Sequence, residues 1–356
     1  MGTKAANKLF SFYILCCFIL LAAVTIAGGL AVYTDPNKHP IISYLGVILP
    51  GLLIVNFLFF IIGLSGKKKW AFIPLVAILT NFEFILSMVN YTMKTDDTKA
   101  SLRVATYNVR AFNMESTGYS AKQIALFMVK QKIDIICFQE YNANGYFTRD
   151  SLLTTFYDYP YHYIPTFNKG TRIAIFSKHP ITDTLAIPFP GSMNCGMRAI
   201  ISIKGKKISV FNVHMQTTSL NSSRRKLAKQ MQYGNPVNES EIFEKMNQDI
   251  IANQQTRVKQ ACLVSRIIEK NRKMPTLLCG DFNDTPASYT YHLLRGELKD
   301  GFRTCGRGYA YTYRGLLKML RIDYIFHSKD LKGIQYFSPS LTWSDHNPVI
   351  MEIQYP

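Results

Sequence analysis

Thr276-Leu277-Leu278-Cys279-Gly280-Asp281-Phe282-Asn283-Asp284 is the stretch whose reading decides the fold. A short apolar run ends in a glycine turn that delivers Asp281 and Asn283 at a two-residue offset. Residues at that spacing on a strand end can face one pocket, one supplying charge and the other an oriented amide. On its own, an Asp-x-Asn after a strand is also a turn or a helix cap. Its weight comes from the rest of the chain, where other apolar strands end in residues able to meet a metal ion or a phosphate.

Upstream, a strand over 101–109 closes on Tyr107-Asn108-Val109-Arg110, and one over 133–140 closes on Phe138-Gln139-Glu140. A strand over 207–214 ends Asn212-Val213-His214. Downstream, a strand ends Arg321-Ile322-Asp323-Tyr324, and Ser344-Asp345-His346-Asn347 precedes a last strand from Pro348. Between them lie a helix over 119–132, strands at 161–165, 171–177, 182–189 and 198–204, and a helix over 287–295. The stretch 219–270 is polar and largely helical, with a break near Gly234-Asn235-Pro236. Packing prefers apolar side chains at core strand ends, so this many polar groups there points to chemistry. Carboxylates and carboxamides without thiolates suit a hard cation, Mg²⁺ or Mn²⁺, and histidines beside carboxylates suit proton transfer. None of the seven cysteines makes a CxxC or Cys/His zinc spacing.

The first 94 residues read differently. Apolar runs at about 9–32, 41–64 and 70–93 are each long enough to cross a bilayer. Lys4 and Lys8 precede the first run, and Lys67-Lys68-Lys69 separates the second from the third. The positive-inside rule then puts the N-terminus and the Lys triplet in the cytoplasm and everything beyond the third span outside it. Glu83, with Asn81 and Asn56, reads either as an intramembrane functional group or as helix-packing polarity. The expected organisation is a three-span anchor over 1–94, a polar linker over 95–100 and a globular domain over 101–356. The anchor carries a net charge of +5 and the remainder +13, which fits a polyanionic partner, an anionic lipid surface or nucleic acid.

Taken together and in order, the six strand-end motifs resemble the endonuclease/exonuclease/phosphatase superfamily, which includes deoxyribonuclease I, abasic-site endonucleases, neutral sphingomyelinases and inositol polyphosphate 5-phosphatases. The resemblance covers 101–355. It implies a deoxyribonuclease I-like two-sheet α/β sandwich whose strand ends form one cleft, and a metal-dependent phosphoesterase. By motif it implies Glu140 as principal metal ligand, with Asn108 orienting metal or phosphate and Asp345 supporting the metal or His346. His346 paired with Asp323, and Asp281, are the candidates for base or transition-state stabiliser. Asn283 and His214 would contact the phosphate, His214 also as a candidate to protonate the leaving oxygen. Arg110, two after Asn108, resembles the deoxyribonuclease and phospholipid-acting branches more than the abasic-site enzymes. Arg172 and Arg198 are further candidates to reach substrate phosphate, with surface ion pairs as the competing reading. Tyr309, Tyr311 and Tyr313, beside Arg307 and Arg314, suit base stacking, a lipid headgroup layer or plain strand packing. A membrane lipid headgroup is the favoured substrate. The alternatives are a cell-surface nuclease and, in another class, a catalytically silent lipid-binding receptor or scaffold.

Overall fold

Nine of the fourteen strands among the described residues lie in the second half of the chain. The computed structural model describes residues 2–66, 69–92, 101–167, 172–218, 239–315 and 318–355. The 95–100 linker, Lys67, Lys68 and the 234–236 break fall outside them. The chain divides into two compact units, Met1–Leu86 with Pro286–His292, and Ser87–Thr285 with Leu293–Pro356. The division falls inside the third apolar run, ahead of the 95–100 linker.

In the first unit, α1 (Gly2–Gly29) and α2 (Pro40–Ser65) belong to segments long and apolar enough to cross a membrane. The third expected span is not one straight helix. Lys69–Ala71 forms a short 3-10 turn, α3 (Phe72–Thr80) follows, and α4 (Phe82–Met88) departs at a 60° bend. Three crossings result only if the bent pair counts as one. The break falls at Asn81, whose side-chain amide donates to Ala77 O at 2.8 Å and to Thr25 O at 3.4 Å. Asn56 Nδ2 donates to Thr25 Oγ1 at 2.7 Å, so the two asparagines tie three helices together through Thr25. Glu83 is exposed, in the first turn of α4. The apolar run beyond Met88 is not helix either, because Val89–Tyr91 forms strand β1.

The second unit is a two-sheet α/β sandwich. One sheet runs β13 (Lys332–Phe337), β14 (Val349–Gln354), β2 (Ser101–Asn108), β3 (Ile135–Gln139), β5 (Ala174–Ser177), β4 (Tyr161–Tyr163). The other runs β10 (Lys299–Asp300), β12 (Asp323–His327), β9 (Thr276–Asp281), β8 (Lys206–His214), β7 (Cys195–Ile203), β6 (Ile181–Pro188). A separate two-stranded ladder pairs β1 with β11 (Arg307–Tyr309). Four strands were not expected from the sequence: β1, which lies inside the third apolar run, and β10, β11 and β13.

Period-two alternation builds two apolar layers. Val104, Ile135 and Cys137 join Met197, Val210, Leu277 and Ile325 from the opposite sheet in the inter-sheet core. Ala105, Ile136 and Phe138 face the other way, onto α5 (Tyr119–Lys130) and α6 (Arg149–Thr155), which bring Ile124, Met128 and Leu152. Helix α7 (Glu239–Lys270) buries Val258, Ala261 and Val264. The inter-sheet core is not wholly apolar. Gln139 Nε2 donates to Asn212 Oδ1 at 2.7 Å, and Asn212 Nδ2 donates to Phe138 O and Ala174 O. These bonds cross from one sheet to the other and satisfy amides that burial would otherwise penalise.

Candidate functional site

Among the described strands, β2–β3 and β8–β9 are the parallel pairs, and each delivers polar residues at its carboxyl end. The register fixes the order. Asn108 pairs with Gln139, one residue before Glu140; His214 pairs with Asp281; and Asp281 pairs with Asp323 of the antiparallel β12. Directly paired residues share a face, so His214, Asp281 and Asp323 stand in a row across three strands. Two carboxylates directly opposite repel, which a purely structural sheet avoids.

Asp281 Oδ2 is the hub. Asn108 Nδ2 donates to it at 2.9 Å and to Glu140 Oε1 at 3.2 Å, joining the two carboxylates through one amide. His214 Nε2 lies 3.7 Å from Asp281 Oδ2 and 3.8 Å from Glu140 Oε1, and His346 Nε2 lies 3.9 Å from Asp281 Oδ2. His346 Nδ1 meets Asp323 Oδ2 at 2.9 Å. The other Asp323 oxygen is buried with no hydrogen-bond partner. Asp281 Oδ1 accepts from Asn283 N at 2.8 Å, while Asn283 Nδ2 donates to Met215 O at 3.0 Å. Asp345 lies slightly apart, 3.5 Å from Arg110 Nε.

Local backbone strain concentrates here. Residues 110–114 all have positive φ, from 46° to 62°, although none is glycine. That left-handed turn costs of the order of 1–2 kcal/mol per residue. It directs Arg110 N to Asn108 Oδ1 at 3.0 Å and Ala111 N to Glu140 O at 2.9 Å. Glu140 and Asn283 are also left-handed, with φ of 52° and 51°. Seven of the ten non-glycine residues with positive φ among the described residues thus hold this cleft, and such strain persists where the surrounding structure enforces it. Gly280 has a related role, since a Cβ there would lie 2.0 Å from Val213 O, which is why the Asp281 strand ends in glycine.

The charges settle unequally. Burial raises the Asp281 carboxyl to about 7, and the Asp323 charge adds to the rise. Burial works against a charged His346, but Asp323 and Asp281 outweigh it and hold the imidazolium up to about 10. Burial lowers the His214 value and keeps that ring neutral. Asp281, Asp323 and His346 each offer an atom within 4.8 Å of the others. Groups this close can share a cation or pass a proton, and Glu140 and Asn108 add oxygen donors beside them.

The remaining candidates separate. Arg172 is exposed and its backbone holds the Glu140 loop, with Tyr141 N donating to Arg172 O and Arg172 N to Asn142 Oδ1. Arg198 is not brought into the cluster; it pairs with Asp183 and donates to Asn271 Oδ1 at 3.0 Å. Tyr313 packs its ring 5.2 Å from that of His346. Sequence reading missed two supports. Thr312 Oγ1 accepts from Ile322 N and Asp323 N at 2.9 and 3.0 Å. Arg257 of α7 is buried and pairs with Asp284 at 3.1 Å, while its Nη1 reaches Gln216 O. No local signal marks either, since each partner lies far along the chain. A cleft of ≈ 330 Å³ lined by Arg272, Arg295 and Lys329 contains none of the site groups.

Comparison with known proteins agrees with this geometry. No curated protein matches the chain. A family described as a domain of unknown function (DUF8431) matches 7–88. Solved structures share the fold of the second unit. An endonuclease/exonuclease/phosphatase from Bacteroides vulgatus is 19% identical, with a TM-score of 0.52 over 72% of this chain and 100% of that one. A mannosyl-6-phosphatase of Bacteroides thetaiotaomicron is 20% identical, with a TM-score of 0.50 over 71% and 100%. A humanised D. rerio TDP2 is 15% identical, with a TM-score of 0.51 over 72% and 99%. The Endonuclease/Exonuclease/phosphatase family itself matches residues 105–346, more than half of the sequence, with five of the strand-end motifs whole and the sixth as far as His346, and the chain belongs to that family.

Proposed function

We propose that this chain is a membrane-anchored phosphoesterase that uses Mg²⁺ or Mn²⁺ to hydrolyse a phosphoester of a membrane lipid headgroup. The observation that carries the chemistry is the row His214–Asp281–Asp323 with His346 on one side and the Asn108–Glu140 pair on the other. Among the described residues, the four carboxylates Glu140, Asp281, Asp323 and Asp345 are paired with the cations Arg110 and His346, with the neutral His214 ring beside two of them. That excess of oxygen-borne negative charge fits a hard divalent ion. Glu140 and Asn108 would hold it, with Asp345 in support. When bound, such an ion neutralises charge developing at the phosphoryl group and acidifies water.

The chain's own groups divide the proton work. Asp281, with a value near 7, suits a general base that takes a proton from the attacking water. His346 is held charged by Asp323 and so serves as the cationic stabiliser of the phosphoryl oxygens rather than as base. Asn283 spends one amide hydrogen on Met215 O, and the second is available to a phosphoryl oxygen. His214, kept neutral by burial, contacts the same phosphate.

Two features favour lipid over nucleic acid. Two apolar helices, and a third if the bent pair crosses, give the chain a membrane anchor. The unit that carries the site begins at Ser87, directly after the apolar residues of the third run. Three crossings place the site on the non-cytoplasmic face; two would return it to the cytoplasm. Alkaline phosphatase fused after Lys94 is active in the first case and silent in the second. The substrate test is turnover by the full chain in liposomes of total lipid extract against plasmid and single-stranded DNA, with Mg²⁺, Mn²⁺ or chelator. Lipid turnover lost in Glu140→Ala supports the reading, whereas Glu140-dependent cleavage of DNA with every lipid species unchanged replaces it with a surface nuclease. Full activity in Glu140→Ala or His346→Ala would sink the mechanism.

A further inference from the structure

The residues by which the chain leaves its apolar helices are built into the catalytic unit. Ser87 O accepts from Arg321 Nη1 at 3.0 Å, and Met88 O accepts from Ala310 N at 2.8 Å. Val89, Asn90 and Tyr91 then pair with Tyr309, Gly308 and Arg307. Asn90 Nδ2 reaches Phe302 O at 2.8 Å, Arg303 O at 3.0 Å and Thr92 Oγ1 at 2.9 Å.

Both strands of this contact run on to the catalytic pair. Arg321 is two residues before Asp323 and fully buried. From Ala310 the chain reaches Thr312, whose hydroxyl accepts from Ile322 N and Asp323 N and whose carbonyl accepts from Asn347 N at 2.7 Å. The next residue, Tyr313, pairs with His346 in an isolated bridge and packs its ring beside it. Asp323 and His346 therefore bond to a segment that itself pairs with residues 87–91.

We propose that 87–91, and Asn90 above all, are a positioning element for the Asp323–His346 pair, acting through the β1–β11 ladder and Thr312. The anchor's exit is then part of the site's scaffold instead of a passive tether. A domain cut at Ser101 would keep every motif residue and lose this support. The inference rests on the reading of His346 and Asp323 as catalytic, and the experiment separates the two.

The test uses the full chain in liposomes, with Asn90→Ala, Thr312→Val, Thr312→Ser and the Asn90→Ala/Thr312→Val double variant. Hydrogen exchange at the amides of Ile322 and Asp323 reads position without any substrate. The expected result is exchange about 10-fold faster in Asn90→Ala and Thr312→Val, with Thr312→Ser close to wild type because it keeps the hydroxyl cap. On bis-p-nitrophenyl phosphate, kcat falls about 10-fold in Asn90→Ala while KM holds, since misplacement by a fraction of an ångström acts on the chemical step. The double variant loses no more than Thr312→Val alone, the signature of one shared path. Unchanged exchange at Ile322 and Asp323 in Asn90→Ala overturns the proposal, and so do additive losses in the double variant. Full activity in His346→Ala, with exchange still raised by Asn90→Ala, would instead remove the catalytic reading and leave the positioning intact.

Discussion

Two buried clusters of charge lie in the same two-sheet unit, and they are composed oppositely. At one, the Arg321 guanidinium meets Asp300 through two bonds, Nη1–Oδ2 at 2.8 Å and Nη2–Oδ1 at 2.5 Å. The rings of Tyr324, Phe302 and Tyr336 surround it, 4.6, 4.9 and 5.6 Å from the guanidinium carbon. One cation faces one anion, and the second Asp300 role is a cap on Phe302 N. At the other, Asp281 and Asp323 are paired across neighbouring strands, Glu140 shares an amide with Asp281, and one Asp323 oxygen has no partner. The first cluster is balanced and the second is not. Burial of charge by itself therefore says little about function; burial of an imbalance, held by strained backbone, says a good deal.

The comparison breaks most visibly at the unbalanced site. Glu140→Ala and His346→Ala should each lower kcat by about a thousandfold, the scale of losing a positioned electrostatic group. Glu140→Ala removes charge from a crowded cluster and should leave the melting temperature close to wild type, whereas His346→Ala leaves Asp323 buried without its cation and should lower it. A variant that unfolds while its residual folded fraction keeps full turnover would make this cluster structural, like the other.

The balanced pair should behave in reverse. Arg321→Met leaves Asp300 buried without its cation and should cost about 3–5 kcal/mol of stability. Adding Asp300→Leu should recover part of that loss, less the cap on Phe302 N. Denaturant unfolding of the three forms checks it, and a single variant as stable as wild type would show that the pair carries no structural weight.

A third outcome sharpens the proton assignments. Asp281 acts as base only when ionised, and its carboxyl is raised to about 7, so kcat/KM should climb as pH rises towards 7 and then level. His346 acts only when charged, and its value is raised to about 10, so activity should fall above that pH. The bell is read from kcat/KM between pH 5 and 11. Activity that falls instead of rising through pH 7 would mean that Asp281 is needed protonated, and Asp281 would then not be the base.

Much of this site stood in the sequence because strand ends are local. An apolar run stopped by Gly280 and followed by Asp281 is a pattern of a few residues, and Glu140 and His214 repeat its logic; Asp323 does not, because it opens β12 instead of ending a strand and reaches Asp281 through antiparallel pairing. The structure adds what local patterns cannot encode. The left-handed turn at 110–114 contains no glycine to announce it, because its conformation is imposed by bonds to Glu140 and Asn108. Val89–Tyr91 closes the third apolar run, and over so short a stretch composition does not distinguish the end of a span from a short strand. The 60° bend at Asn81 likewise follows from an asparagine bonding across helices, with no proline at the break. Arg257 sits in a long polar helix where nothing nearby marks it as the residue that pairs with Asp284.

The smallest expected effect tests where the site stops. Arg198 was a candidate for substrate phosphate on sequence grounds, yet its guanidinium is engaged by Asp183 and Asn271. The Asp183 side chain is half exposed, so water screens the pair and its contribution is about 1 kcal/mol or less. Arg198→Ala should therefore change kcat/KM by less than about twofold and stability by no more than that same amount. The contrast with Arg110 makes the measurement useful. Arg110 lies 3.5 Å from Asp345, next in sequence to His346, and its loss should exceed that of Arg198 on the same substrate. Equal losses from Arg110→Ala and Arg198→Ala would mean that substrate reaches both, extending the functional cleft along β7 to a surface that the ion pair with Asp183 now closes.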